Sequence, residues 1–335
     1  MIDAMIEKSR ELAETRARSF KLRIRMQNAA KGQNPRIFVI SSIQKCGQDN
    51  QILGLGQGDA FWATRVPGFP LPAPEESPFL FGGPAAYSSH FHGKVMAVIT
   101  FDSDEPDSVV QESISVLSEN ENLRVPHIIG LQLDSVSGHY RSVGQGKLMD
   151  RAVAGVLTRQ YSEPLEIDEG VLVVLCSDSR LLPPMTSKGA PMTIRTLGGF
   201  IPSYDESLPE TMNLDDFLTR WLEQDSSEKR IVAMAHGNPD ADAAACGAAK
   251  ASLDSSEIAD SFLRSIVEQI GDDAMRADSS HETTAHSRAI AIAKATRRNL
   301  GTYPAISAIT KKRILLSEVV QLAYMDTVTG ILTPY

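Results

Sequence analysis

The chain has 335 residues, room for roughly two domains at the usual ~150 residues each, and 42% of them are hydrophobic, a globular and not a disordered composition. Its 33 basic against 42 acidic residues leave a net charge of -9, which excludes the basic stripe needed to neutralise nucleic-acid phosphates. No apolar run approaches the ~20 residues of a membrane-spanning helix, and three cysteines are too few for a disulfide framework.

In chain order, residues 1–31 read as one charged amphipathic helix without the apolar stretch of a secretory signal, the amino terminus expected of a soluble, cytoplasmic protein. Short apolar runs bounded by turn residues then predict buried strands at Arg36–Ile40, Lys94–Ile99 and His127–Leu133. The same style returns at Gly170–Leu175, Arg230–Ala235 and Val319–Tyr324. Helical patterns fall at Asp215–Glu223, Ala243–Lys250, Ser256–Ile270 and His286–Leu300, and the alternation argues an α/β fold with parallel-rich sheets. Pro67 to Pro84 holds six prolines and reads as a loop or extended strap.

The halves look like copies. Ile37–Ser42 is like Leu172–Ser177, Ala63–Phe69 like Thr193–Phe200 with Arg65 opposite Arg195, and Val95–Ile99 like Ile231–Ala235. Asp134-Ser-Val-Ser-Gly138 is like Asp326-Thr-Val-Thr-Gly330. Four pairs in one order predict a tandem duplication.

Cys176-Ser-Asp-Ser-Arg180 leaves the end of a predicted strand, His236 ends another, and Cys246 opens the next helix. Ligands of open α/β sheets bind at the carboxyl ends of strands, so these three side chains are expected to converge there. Two thiolates and one imidazole make a Zn²⁺ site with its fourth position open, the arrangement of a catalytic zinc. Asp178 and Arg180 are expected to form a two-pronged ion pair that keeps the carboxylate ionised, an acceptor and not a donor. Other candidates carry less. The histidines of His281-Glu-Thr-Thr-Ala-His286 fall about 140° apart on a helix and cannot share an ion. Gly54–Gly58 lacks the following helix of a phosphate loop, while His90, His92 and Cys46 sit in polar loop sequence and Asp240 and Asp242 in a solvated one.

Cys176-Ser-Asp-Ser-Arg180, Ile194-Arg195-Thr-Leu-Gly-Gly199, the His236…Cys246-Gly-Ala element, and the close at Tyr303-Pro304 and Tyr324–Gly330 resemble a β-class carbonic anhydrase. The likeness covers about residues 165–335, and about 35–145 as a faded copy. Nine residues separate His236 from Cys246 where the class usually has two, an interval similar to that of its carboxysomal branch, in which two such domains are fused and one keeps its metal. The resemblance implies an α/β chain made as a tandem duplication of a β-carbonic-anhydrase-like sheet with flanking helices, closing into a pseudo-dimer within one chain. Its expected parts are a helical arm at 1–34, a degenerate metal-free domain at 35–150 and a catalytic zinc domain at 165–335. In the degenerate copy Ser41, Ile43 and Lys45 stand where Cys176, Asp178 and Arg180 stand in the second, and Thr100 stands for His236.

The implied activity is reversible hydration of CO₂ to bicarbonate and a proton, a lyase reaction in which zinc-bound hydroxide attacks CO₂ under the orientation of the Asp178–Arg180 dyad. Cys176, His236 and Cys246 are the implied Zn²⁺ ligands, and no cofactor beyond the metal is expected. The expected partners are CO₂ and bicarbonate, self-associating pseudo-dimers and a carboxysome-type assembly protein, with no nucleic acid and no membrane span. The expected location is the cytoplasm, including a bacterial microcompartment. Two rival expectations are hydrolysis of another small heterocumulene such as COS or CS₂, and a non-catalytic carbonic-anhydrase-like scaffold.

Overall fold

The computed structural model describes residues 2–91, 96–120, 127–133, 140–143, 166–224, 229–278, 284–311 and 314–335. The first repeat motif at Asp134–Gly138, together with His92 and His281, lies outside them.

Among the described residues, ten strands form two five-stranded sheets with the same plan. In the first, β1 (Ile37–Ser42), β2 (Ala60–Arg65), β3 (Met96–Phe101), β4 (His127–Leu133) and β5 (Tyr140–Val143) lie in the order β2-β1-β3-β4-β5. In the second, β6 (Ile167–Cys176), β7 (Ala190–Thr196), β8 (Arg230–Gly237), β9 (Val320–Asp326) and β10 (Leu332–Pro334) lie in the order β7-β6-β8-β9-β10. In each sheet every pairing is parallel except the last, an antiparallel one at the edge. Strands covered on both faces need apolar side chains throughout, which is why β6 runs Val-Leu-Val-Val-Leu and is buried along that length. The chain is thus an α/β protein with two sheets of one plan, consistent with the repeats read in the sequence.

Register corrects the residue-by-residue match between the units. With Ile37 set against Leu172, ladder partners place Met96 level with Ile231 and Ala60 level with Met192. Counting along the strands then sets Phe101, not Thr100, level with His236, and Ala63, not Arg65, level with Arg195. Short apolar strands look alike at neighbouring offsets, so likeness alone does not determine the register.

The units meet edge to edge. Trp62 N–H donates to Ser177 O at 3.0 Å, Thr193 N–H to Ile43 O at 2.8 Å, and Arg195 N–H to Thr64 Oγ1 at 2.8 Å. One hydrophobic cluster runs through both, from Phe38 and Phe61 to Val173, Phe200 and Ile292. The arm expected as a single helix is two, Ile2–Arg18 and Phe20–Ala30, because Ser19 is extended and its hydroxyl accepts from Leu22 N–H to cap the second. The first arm helix crosses to the other unit, where Ser9 Oγ accepts from Leu332 N–H at 3.0 Å.

The proline-rich strap is shorter than expected. From Pro78 the chain is a helix to His90, with Pro78 in its first turn and Pro84 inside, and Phe79 to Ser88 are all buried. Its apolar content and the contact of its glycines with the second unit override the proline signal: a Cβ on Gly83 would lie 3.1 Å from Ser177 Oγ. Glu210 caps it from the second unit, its carboxylate accepting from Phe79 N–H at 3.1 Å and Leu80 N–H at 2.7 Å. Burial pushes the Glu210 carboxyl up to about 7 despite those two bonds. A pKa raised in the fold favours the native state while the proton is on. This contribution is whole below the ordinary value of 4.5 and is lost as pH climbs towards 7. A thermal-unfolding series across that window is expected to fall by about 1–3 kcal/mol for the full chain relative to Glu210→Gln, which cannot titrate.

Candidate metal centre

Cys176 is the last residue of β6, His236 lies one residue from the end of the adjacent β8, and Cys246 caps the helix Gly247–Ala251. Their ligand atoms all lie within 4.8 Å of one another, and all three residues are buried. The structure thus brings together the three predicted ligands in spite of the long interval. Gly198 and Gly199, both at positive φ after β7, let the chain turn against this point. A Cβ on Gly199 would sit 3.3 Å from Cys176 N, and one on Gly198 3.2 Å from Ala248 Cβ.

The interval is fastened, not loose. Arg180 Nη1–H donates to Ala243 O at 2.6 Å and Nη2–H to Ala245 O at 2.8 Å, so the guanidinium holds the segment that delivers Cys246. Asn238 Nδ2–H donates to Asp326 Oδ2 at 2.8 Å at the other end. Asp240 and Asp242 are exposed, and Asp242 pairs with Lys250 at 2.7 Å, away from the buried cluster.

The same guanidinium grips Asp178. Arg180 Nε–H donates to Oδ1 at 2.9 Å and Nη2–H to Oδ2 at 2.5 Å, with both side chains 2% exposed. Burial alone would push the Asp178 carboxyl up, but the Arg180 charge and its hydrogen bonds outweigh it and hold the group below its ordinary value. Arg195 completes the floor, donating to the Asp178 and Leu181 carbonyls at 2.9 and 3.1 Å. Cys176 is the thiol held low, first by the hydrogen bond from Cys246 and next by His236, and the same bond holds Cys246 high.

The donor set fits zinc. His236 Nδ1 is hydrogen-bonded with Thr327 Oγ1 at 3.0 Å, while Nε2 is buried without a partner among the described residues. With Nδ1–H donating, the Nε2 lone pair is left for an ion, the tautomer control seen around metal-bound histidines. An orphaned buried nitrogen beside two buried sulfurs is costly unless something electrophilic lies between them.

A cavity of about 300 Å³ opens on Cys176 and Asp178. Much of its wall comes from the first unit, with Phe61, Ala86, His90 and Phe91 facing Leu197, Ala248 and Val267 of the second. Gln33, ahead of β1, also enters it, and its Oε1 accepts from Ser179 N–H at 3.4 Å. None of these wall residues was singled out as functional from sequence, because the contact that makes them neighbours is the junction of the two units. Cys46 also differs from expectation. It begins the helix Cys46–Ile52, buried and not in a polar loop, and burial pushes its thiol up to about 12.

No family model matches the sequence, and no curated protein matches it. Solved structures do. The β-carbonic anhydrase CcaA is similar at 22% identity over 50% of this chain and 73% of its own, with a TM-score of 0.37. A Coccomyxa β-carbonic anhydrase in complex with acetazolamide is 16% identical over 49% of this chain and 71% of its own, with a TM-score of 0.36. A tetrameric β-carbonic anhydrase of Sordaria macrospora is 20% identical over 49% of this chain and 79% of its own, also with a TM-score of 0.36.

Proposed function

We propose that the chain is a zinc-dependent carbonic anhydrase whose second unit, about residues 165–335, is catalytic and whose first, about 35–150, is metal-free. The observation that carries this is one constellation: two sulfurs and an imidazole within 4.8 Å, with an arginine-clamped carboxylate on the wall of the same small cavity. Cys176, His236 and Cys246 would hold Zn²⁺, and a bound zinc ion supplies a Lewis acid that brings the pKa of water into the neutral range.

The remaining steps belong to the protein. Asp178, kept ionised by Arg180, can only accept, so it takes a hydrogen bond from the attacking oxygen and turns that oxygen's lone pair towards the cavity. Phe61, Leu197 and Val267 make much of the cavity lining apolar, which suits a linear, uncharged molecule such as CO₂ and disfavours bulk water. The Gln33 amide lines the same cavity and is able to donate to a bicarbonate oxygen. Arg180 also ties the dyad to the interval that carries Cys246, so ligand placement and carboxylate placement depend on one side chain. Self-association and a carboxysome-type partner rest on the resemblance alone.

Stopped-flow hydration of CO₂ by the chain stripped with a chelator and reloaded with one equivalent of Zn²⁺ tests the proposal. Turnover that disappears on stripping and returns on loading is the expected result. A stoichiometrically loaded chain that hydrates neither CO₂ nor COS would leave the scaffold alternative, whereas COS turnover without CO₂ turnover would select the other heterocumulene.

A further inference from the structure

In the first sheet the ends of β1 and β3 surround a carboxyl group. Asp49, on the helix Cys46–Ile52, is 1% exposed, and its Oδ2 lies 2.5 Å from Ser41 Oγ and 2.5 Å from Thr100 Oγ1. Its other oxygen, Oδ1, is hydrogen-bonded with the Tyr140 hydroxyl from β5. With Ile37 set against Leu172, Ser41 matches Cys176, and Thr100 stands one residue short of the position that matches His236. Asp49 therefore occupies the region of the first unit that corresponds to the metal centre of the second.

We infer that the first unit keeps a proton where the second keeps its cysteine–histidine cluster: Asp49 is a neutral acid that closes this centre without an ion. Three observations support it. Among the described residues no Lys, Arg or His bonds to Asp49; the nearby Lys45 is paired with Asp102 at 2.8 Å. Both hydroxyls on Oδ2 have a second acceptor in reach, Ser42 O at 3.3 Å from Ser41 Oγ and Ile40 O at 3.5 Å from Thr100 Oγ1. Either can thus receive the carboxyl O–H and pass its own hydrogen to a backbone carbonyl, so a proton on Asp49 leaves no donor stranded. Finally, the groups facing it are hydroxyls on β1, β3 and β5, the buried Cys46 thiol on its own helix, and the Asp102 charge just beyond β3. Arg195 of β7, which also packs on that helix, lies by Cys46 and donates to the Asp178 and Leu181 carbonyls. None of the groups facing it sets a positive charge against the carboxyl, and the hydroxyls favour its ionised form less than burial opposes it.

Burial, reinforced by Asp102, raises the Asp49 carboxyl above its ordinary value against the pull of the three hydroxyls. Tyr140 is likewise raised, by burial first and then by Asp49. A raised value in the fold means that the contribution to stability is whole below the ordinary carboxylate range and declines as pH climbs to the raised value. The centre joins β1, β3, β5 and the helix Cys46–Ile52, so the Asp49 carboxyl group ties together four elements of the first unit. The inference concerns the first unit alone and does not depend on what the second catalyses.

Infrared spectra of the full chain at neutral pH, with isotope-labelled aspartate, test it together with unfolding against pH. A protonated-carboxyl band is expected in the parent chain and absent from Asp49→Asn. The Asn variant is expected to unfold within about 2 °C of the parent at neutral pH and to lose the alkaline decline. Asp49→Ala, which opens a polar void, is expected to unfold several degrees lower. Absence of the band from the parent, or an Asn variant that falls as far as the Ala variant, would overturn the inference. Should the Ala variant not fold, the band in the parent and its loss in Asp49→Asn decide alone.

Discussion

Cys246→Ser is expected to weaken zinc binding by at least about 100-fold, beyond the ~10–100-fold that follows loss of a group supporting a ligand. In the proposed site Cys246 is the ligand that the long interval delivers, and its placement beside Cys176 and His236 depends on Arg180 holding the Ala243 and Ala245 carbonyls. Serine keeps the shape but replaces a soft, readily ionised sulfur with a hydroxyl that does not deprotonate near neutral pH. Thr327→Val gives the internal comparison: it leaves every ligand in place and removes only the hydrogen bond to His236 Nδ1, so a smaller loss of about 10-fold is expected. Competition against a chromophoric chelator measures both, with far-ultraviolet circular dichroism to confirm the fold. Equal affinities for Cys246→Ser and the parent chain would remove Cys246 from the ligand set.

Asp178→Asn is expected to lower kcat/KM for CO₂ by about 10²–10³-fold while zinc stays bound, the scale of losing one preorganised polar contact to the reacting oxygen. The amide presents a donor where the clamped carboxylate offers only acceptors. Arg180→Lys should lose the two-pronged grip on Asp178 and at least one of the carbonyl contacts. Because both residues act through one unit, the double variant is expected to be little worse than the worse single one, a non-additivity that separates the dyad from two independent contributions. The pH dependence of stability has the opposite sign to that of Glu210. Asp178 is held low in the fold, so its contribution is present above the ordinary carboxylate range and lost as pH falls through it. Rates are read by stopped flow, and metal content in the same samples by elemental analysis. An Asp178→Asn variant as active as the parent would show that the carboxylate does not touch the reacting oxygen.

Much of the second unit was legible because the physics there is local. A buried parallel strand must be apolar at every position, so Val171 to Leu175 announced β6, and polar ligands at strand ends announced the sheet's carboxyl edge. Cys176, His236 and Cys246 could be grouped from sequence because each follows such a strand or opens a helix, and the structure brings them together. What was not legible depends on contacts between distant segments. Pro78 and Pro84 read as a strap, yet Phe79, Phe81 and the glycines between the units make that segment a buried helix. The cavity wall is supplied across the junction by Gln33, Phe61 and His90, which no local pattern links to Cys176. Thr100 was matched with His236 by likeness, and only the ladder shows the offset of one. Asp49 carried no signal at all, since an aspartate in Cys-Gly-Gln-Asp-Asn looks like a solvated turn until β3 and β5 close over it.

The X-ray absorption spectrum of the chain loaded with one equivalent of Zn²⁺ bears most directly on the metal centre. Two sulfurs at about 2.3 Å, with nitrogen or oxygen at about 2.0–2.1 Å filling the other positions, are predicted. A shell without sulfur, or with a single one, would contradict the assignment of Cys176 and Cys246 to the same ion.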